Sequence, residues 1–147
     1  MNALTVNGQA HLKFRLTREE GVRLKPYKDS KGIWTIGVGH NLEVEGLDPK
    51  VVYLQFQIDL EKKIADAATL PAWHVSNEAR KTALVELVFW MGLTRFRKFR
   101  HTLKAWEQRD WQTAHDELLD SKTGRNPKLR PRLEEIANIV LTGRYEK

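Results

Sequence analysis

Apolar side chains recur at helical spacing along most of this chain, but a stretch near its start has a different pattern. Leu12 and Leu16 predict a first helix that ends at Gly21, because glycine tolerates the left-handed turn that follows many helices. Residues 24–44 are instead rich in β-branched and aromatic side chains, which favour strands. They predict an antiparallel ribbon of two or three strands, with Asp29 at its first turn.

The rest of the chain predicts further helices separated by capping and breaking residues. Asp48 and Pro49 are typical of a helix start, and a helix of about 20 residues follows, which Pro71 ends. Ser76 is predicted to cap the next helix, which ends at Gly92. Three shorter helices are then predicted, over residues 96–106, 111–118 and 131–143.

Composition restricts the class of protein more than it identifies a function. With 147 residues, 41% hydrophobic and 30% charged, the chain is expected to form one domain or two joined lobes, neither disordered nor membrane-spanning. The absence of cysteine excludes disulfides and thiolate metal sites. The opening residues lack the basic and apolar segments of a signal peptide. A net charge of +6 favours a polyanionic partner: nucleic acid, an anionic membrane or an anionic cell wall.

The candidate chemistry lies in and just before the predicted ribbon. Glu20 and Asp29 are nine positions apart. Glycoside cleavage uses such a pair, with one carboxylic acid protonating the leaving oxygen and a second carboxylate acting from the opposite face of the sugar. Thr35 adds a hydroxyl that can both donate and accept a hydrogen bond and so can hold a water. The ordinary alternatives are that Glu20 is an exposed acid at a helix end, that Asp29 is a turn residue, and that Thr35 is only a strand former.

Residues 20–40 follow the pattern E-G-x-R-L-x-x-Y-x-D-x-x-G-x-x-T-I-G-x-G-H, which closely resembles the active-site segment of the phage-type lysozymes, glycoside hydrolase family 24. Residues 80–92 and 111–114 also resemble that family, so the likeness covers nearly the whole chain. It implies an α+β, mainly α-helical lysozyme-like fold over residues 1–147. A small antiparallel β-ribbon lobe (about 15–58) and a helical lobe (about 59–147, plus the N-terminal helix) would be joined by a long helix.

The resemblance also implies an activity and its residues. The chain is expected to be a bacteriolytic muramidase, or endolysin, that cleaves peptidoglycan and lyses a phage host. Glu20 would be the general acid, while Asp29 as base and Thr35 orient the attacking water. No cofactor and no metal are implied. Without a signal peptide, the protein is expected in the host cytoplasm before its release to the cell wall.

Four further residues are expected to support the site. Trp90 lies in a segment that resembles the family's F-x-M-G, which faces the substrate cleft. Residues 56–61 resemble the family's connecting helix, in which an aspartate meets the histidine at His40, and this points to an ion pair with Asp59. An arginine that neighbours the catalytic glutamate in the family corresponds to Arg132 or Arg130. Residues 121–126 lack the aromatic side chains found there in relatives, so no substrate contact is carried over.

Two basic segments have no role in the activity that the resemblance implies. Residues 95–100 and 122–132 are rich in Arg and Lys but carry no nucleic-acid-binding signature. They favour attraction to anionic wall polymers or lipopolysaccharide, or simply a solvated face, and not nucleic acid. A monomer is expected. Two other classes of function stay open: a lytic transglycosylase, and a wall-binding or virion structural domain without catalysis.

Overall fold

A computed structural model describes residues 4–145, so both ends of the predicted 1–147 domain lie outside the described residues. The described chain is mainly helical with one small antiparallel sheet, which confirms the predicted α+β class. It divides into two compact units, residues 1–54 and 55–147. The predicted lobes and their joining helix stay predictions.

The first unit contains the sheet and the helices around it. Its strands are antiparallel in the order β1-β2-β3, so the central strand β2 pairs with both neighbours. The elements, in chain order, are α1 (Val6–Glu20), β1 (Arg23–Lys28), β2 (Trp34–Gly37), β3 (His40–Asn41), α2 (Leu42–Glu45) and the start of α3 (Pro49–Ala68).

Local capping fixes the ends of these elements. The Thr5 hydroxyl accepts a hydrogen bond from the Gly8 N–H at 3.0 Å and begins α1. Gly21, at φ 74°, ends α1 as predicted, with its N–H bonded to the Thr17 carbonyl. Between the pairs Arg23–Gly37 and Tyr27–Thr35, β1 advances four residues while β2 advances two. The two extra residues on β1 interrupt its regular pairing with β2, as a β-bulge does.

Helix α3 matches its prediction in both start and length. The Asp48 carboxylate accepts a hydrogen bond from the Lys50 N–H at 2.8 Å, and the helix runs for 20 residues from Pro49. Residues 42–45, at the end of the stretch predicted to form strands, instead form the one-turn helix α2. The Asn41 side chain caps it by accepting from the Val44 N–H at 3.0 Å.

The second unit contains the end of α3 and six further helices within the described residues. None of the helices in residues 4–145 has the length and apolar character needed to cross a bilayer. The additional helices are α4 (Pro71–His74), α5 (Glu78–Met91), α6 (Leu93–Phe96), α7 (Arg100–Glu107), α8 (Trp111–Leu119) and α9 (Arg130–Thr142).

Two of the helix predictions in this unit are wrong in detail. Asn77, not Ser76, caps α5, because its side-chain oxygen accepts a hydrogen bond from the Arg80 N–H at 3.0 Å. The single helix predicted over residues 96–106 is divided into α6 and α7, with Phe99 at the N-cap of α7. The predicted ends at Gly92 and Gly143 are confirmed.

The core of the second unit centres on Trp106, which is fully buried on α7. Its indole N–H donates to the Ser76 hydroxyl at 2.8 Å, and Ser76 in turn donates to the Ala72 carbonyl at 2.7 Å. The buried polar edge of the ring is therefore satisfied. The other large, fully buried side chains are Leu84, Leu87, Val88, Phe96, Leu118, Leu133, Ile136 and Val140.

Arg80 ties α5 to α9 and α8. Its guanidinium donates to the Val140 carbonyl at 2.7 Å and to the Leu141 carbonyl at 3.2 Å, and it stacks 3.7 Å from the centre of the Trp111 ring. Partial burial lowers the pKa of this guanidinium below its usual value. The side chain thus satisfies carbonyls near the end of α9 that have no partner within the helix.

Replacing Trp106 by Ala is expected to lower the free energy of unfolding by about 3–5 kcal/mol, because it empties the centre of the core and leaves Ser76 without its donor. Trp111→Ala is the matched comparison, since that tryptophan is only half-buried, and its cost should be smaller. Urea unfolding followed by circular dichroism measures both. Equal losses would show that the core is not centred on Trp106.

Candidate active site

Glu20 is the last residue of α1, directly before the glycine that ends the helix. The chain enters β1 at Arg23, three residues later, so the position of Glu20 is fixed by a helix end on one side and a strand on the other. Its carboxylate lies beside Gly39: a methyl group built on Gly39 would come within 3.2 Å of Oε2 and 3.3 Å of Cδ. The carboxyl group therefore sits against the turn that joins β2 to β3.

Asp29 occupies the opposite end of β2, in the turn that follows β1. Its Oδ1 accepts hydrogen bonds from the backbone N–H groups of Lys31 at 2.8 Å and of Ile33 at 2.9 Å. Its own backbone exchanges bonds with Ile33 and Gly32, which closes the turn. Within residues 4–145 no hydrogen bond reaches Oδ2. One carboxylate oxygen thus holds the turn, and the other is available to a water or substrate.

Thr35 lies between these two acids on the central strand and is buried, with 4% of its surface exposed. Its hydroxyl donates to the Ile33 carbonyl at 2.9 Å. Because a hydroxyl has one proton and two lone pairs, Oγ1 is left as an acceptor. A water near Thr35 could therefore donate a hydrogen bond to this oxygen.

The sheet register fixes the place of Thr35 relative to the turn that contains Asp29. Thr35 is opposite Tyr27 in the ladder, and Asp29 comes two residues after Tyr27, directly after the end of β1. The Asp29 N–H donates to the Ile33 carbonyl at 3.0 Å, which ties the turn to the start of β2. Glu20 thus lies beside the β2–β3 turn and Asp29 in the β1–β2 turn, with Thr35 on β2 between the two turns.

Gly39 is the residue at this site that sequence reasoning missed. Its φ of 64° suits glycine, and a side chain there would press on the Glu20 carboxylate. The available signal was the G-x-G sequence at residues 37–39 just after a strand, since glycine at such a place often marks a close approach. What it approaches can be read only from the fold.

We expect Gly39→Ala to reduce hydrolysis about tenfold or more, because the added methyl group would lie 3.2 Å from Glu20 Oε2 and displace the acid. A tenfold loss corresponds to about 1.4 kcal/mol of added activation free energy. Gly46→Ala is a matched control. Gly46 has a similar φ of 61°, but a methyl group there meets no atom within 4 Å. Both variants carry the backbone cost, and only the first crowds Glu20. Steady-state rates on purified walls, with melting temperatures, measure the difference; equal activity of the two would contradict the role given to Gly39.

His40 and Asp59 each have a partner within their own unit. The His40 Nε2 is hydrogen-bonded to the Gly46 carbonyl, which fixes the ring against the end of α2. Asp59 Oδ1 accepts from the Gln55 side chain one turn earlier on α3, at 2.9 Å. The ion pair between His40 and Asp59 stays a prediction.

Trp90 and Arg132 lie together in the second unit. The Arg132 guanidinium is 4.3 Å from the centre of the Trp90 ring, and its Nε donates to Glu86 at 3.3 Å. Arg130 is engaged differently: it pairs with Glu134 at 2.8 Å and donates to the Gly124 carbonyl. Arg132 is therefore the arginine that is joined to the F-x-M-G segment, whereas Arg130 braces a loop. Their roles towards a substrate stay predictions.

No group of three or more His, Asp or Glu side chains suited to a metal ion is found within residues 4–145. The candidate site offers two carboxyl groups and a hydroxyl. One acid faces the β2–β3 turn, the other has an unengaged oxygen, and the hydroxyl between them is an acceptor. Such a set can donate a proton on one side of a bond and activate a water on the other.

Comparison with known proteins gives the same picture. A profile described as phage lysozyme matches residues 17–134. The endolysin of Salmonella phage P22 is 34% identical over 78% of this chain and 84% of its own length. Probable T4-type lysozyme 1 of Dictyostelium discoideum is 26% identical over 90% of this chain and 94% of its own length.

A third relative is much longer than this chain. The pre-baseplate central spike protein Gp5 of Enterobacteria phage T4 is 28% identical over 89% of this chain, but this chain spans only 28% of its length. The match thus concerns one part of that protein. The family resemblance drawn from residues 20–40 is confirmed, because the matched range of the profile covers those residues.

Proposed function

Because the chain belongs to the phage lysozyme family, we propose that it hydrolyses the β-1,4 bond between N-acetylmuramic acid and N-acetylglucosamine in bacterial peptidoglycan. The same membership supports a muramidase-like, lysozyme-type glycosidase activity of the endolysin kind. The observation that carries the proposal is the placement of Glu20 and Asp29 at opposite ends of one short strand, with the Thr35 hydroxyl between them.

In the first part of the reaction Glu20 acts as the general acid. Its carboxylic acid proton passes to the glycosidic oxygen as the bond from that oxygen to the sugar carbon breaks. The electron pair of that bond leaves with the oxygen, and the sugar develops oxocarbenium character. The exposed position of Glu20 at the helix end gives a sugar access to this proton.

In the second part a water attacks the same carbon from the opposite face. The water donates one hydrogen bond to Thr35 Oγ1, whose own proton is engaged by the Ile33 carbonyl. Its other proton passes to Asp29 through Oδ2, since Oδ1 is held by the Lys31 and Ile33 N–H groups. The product is a sugar with inverted anomeric configuration, and inversion requires carboxyl groups about 6.5–9.5 Å apart to leave room for the water.

The biological setting follows as part of the proposal. A lysozyme of this family would accumulate in the cytoplasm of a phage-infected host and reach the wall only after release through the membrane. The net charge of +6 would then attract it to anionic wall polymers or lipopolysaccharide.

A second candidate has one observation in its favour. The likeness to the spike protein Gp5 covers 89% of this chain, so a lysozyme domain of this kind also occurs within a larger virion protein. A virion-associated role would keep the same active site. A lytic transglycosylase is less well supported, because it needs the acid but does not need Asp29 and Thr35 to hold a water.

Product analysis tests the proposal. Purified peptidoglycan is digested with the protein, and the soluble fragments are examined by mass spectrometry. Hydrolysis between the two sugars leaves a reducing muramic acid end. Products that end in anhydro-muramic acid would replace the proposal by a transglycosylase, and an absence of cleavage would leave only a binding or structural role.

A further inference from the structure

The two basic segments noted in the sequence meet at one cavity of the second unit. The cavity has a volume of about 430 Å³ and lies where α7 and the end of α8 come together with the loop after α8. Its lining comes from two stretches, residues 95–102 and 117–125. The cationic side chains among them are Arg95, Lys98, Arg100, Lys122 and Arg125.

This cavity concentrates the charge of the protein. Its lining contains five Lys and Arg side chains and two carboxylates, Glu117 and Asp120, which gives a net charge of +3 with His101 neutral. The whole chain carries +6. The lining of one pocket therefore carries a charge equal to half of the net charge of the chain. The positive charge is not spread evenly over the surface.

These cations are also unengaged, unlike their neighbours. Arg130 pairs with Glu134 at 2.8 Å, and Arg132 pairs with Glu86 at 3.3 Å. Within residues 4–145 the five cations of the pocket form no ion pair, and all five are exposed. Their charges are available to an anion that enters the cavity.

The shape and composition of the pocket favour a phosphate group on a polymer. Membrane docking needs exposed apolar side chains around the cations, but here Phe96 is fully buried and Phe99 is half-buried. Single-stranded nucleic acid needs exposed aromatic rings for stacking, and the lining offers only Phe99. A concave site with several Arg and Lys side chains suits the oxygens of a phosphate, which accept bidentate hydrogen bonds.

We propose that this pocket binds the phosphate groups of an anionic polymer in the cell wall and thereby holds the protein on its substrate. The inference rests on the proposed function for its setting, since a wall polymer is met where peptidoglycan is met. The pocket lies in the second unit, and its lining does not include Glu20, Asp29 or Thr35.

The test compares two double variants with the same net charge. Arg100→Gln with Lys122→Gln removes one cation from each stretch of the pocket. Lys13→Gln with Arg15→Gln removes two exposed cations from α1, outside the pocket and the active site. Binding of synthetic poly(glycerol phosphate) to the full chain is followed by NMR of the backbone amides, with inorganic pyrophosphate as a small probe.

We expect saturable binding of both probes by the wild type, with shifts confined to residues 95–102 and 117–125. The pocket variant should bind at least about tenfold more weakly, and the α1 variant should bind as the wild type does. Equal weakening in both variants would attribute binding to overall charge and overturn the proposal. Tighter binding to vesicles of phosphatidylglycerol and phosphatidylcholine than to the polymer would overturn the choice of a wall polymer.

Hydrolysis of a short, phosphate-free muropeptide separates this proposal from the proposed function. The pocket variant should cleave that fragment at the wild-type rate while it lyses phosphate-bearing walls more slowly. Phosphate binding without any cleavage would contradict the proposed hydrolase activity but not the proposed phosphate binding by the pocket. Cleavage without saturable phosphate binding would contradict the pocket alone.

Discussion

Glu20→Gln is expected to fold as the wild type does and to hydrolyse peptidoglycan at least about a hundredfold more slowly, the lower end of the contribution of a general acid. The amide has nearly the shape of the carboxylic acid, so it fits against Gly39, but it has no acidic proton to give to the leaving oxygen. The rate is measured as release of new reducing ends from purified walls.

Glu19→Gln is the matched control for this variant. Glu19 is the adjacent residue on α1 and is exposed, and its carboxylate pairs with Arg18 at 3.1 Å instead of lying against the β2–β3 turn. The control removes the same charge and should keep wild-type activity. Clearing of walls by Glu20→Gln at nearly the rate of the control would remove Glu20 from the mechanism.

Asp29→Asn is expected to be nearly inactive, with a loss of about a hundredfold to ten-thousandfold, as for removal of a general base. Asparagine keeps a side-chain oxygen that can accept from the Lys31 and Ile33 N–H groups, so the turn should survive. The amide cannot take a proton from water. Asp29→Ala is less informative, because it removes the base and both turn contacts together.

Asp48→Asn provides the comparison for Asp29→Asn. Asp48 also accepts a hydrogen bond from the N–H two residues later, at 2.8 Å, but it begins α3 and is not part of the candidate active site. The two variants should have similar melting temperatures and very different rates. If Asp29→Asn kept more than about a tenth of the wild-type rate, water activation by Asp29 would have to be abandoned.

Much of the fold could be predicted because its boundaries are set by local chemistry. Gly21, Gly92 and Gly143 end helices at positive φ, and Asp48 begins one through its own side chain. Such signals act within a few residues of chain, so the pattern contains them. The strand formers of residues 24–44 likewise form a sheet by pairing with near neighbours.

The errors arose where distant contacts decide between similar local choices. Ser76 and Asn77 can both cap a helix, and Ser76 is instead engaged by Trp106, thirty residues later. The segment between α6 and α7 contains neither glycine nor proline, so its sequence does not predict a break. At the candidate site, Glu20 and Asp29 are predicted from their sequence pattern, whereas the approach of Gly39 to Glu20 depends on how the strands fold back.

The stereochemistry of the product shows on which face of the sugar the water attacks. A soluble muropeptide is cleaved in an NMR tube, and the anomeric signals of the new reducing end are recorded before mutarotation is complete. Because Asp29 and Thr35 are proposed to hold a water on the face opposite Glu20, we expect the β-linked sugar to be released first as the α-anomer. Initial release of the β-anomer would show retention of configuration and would contradict attack by a water held by Asp29 and Thr35.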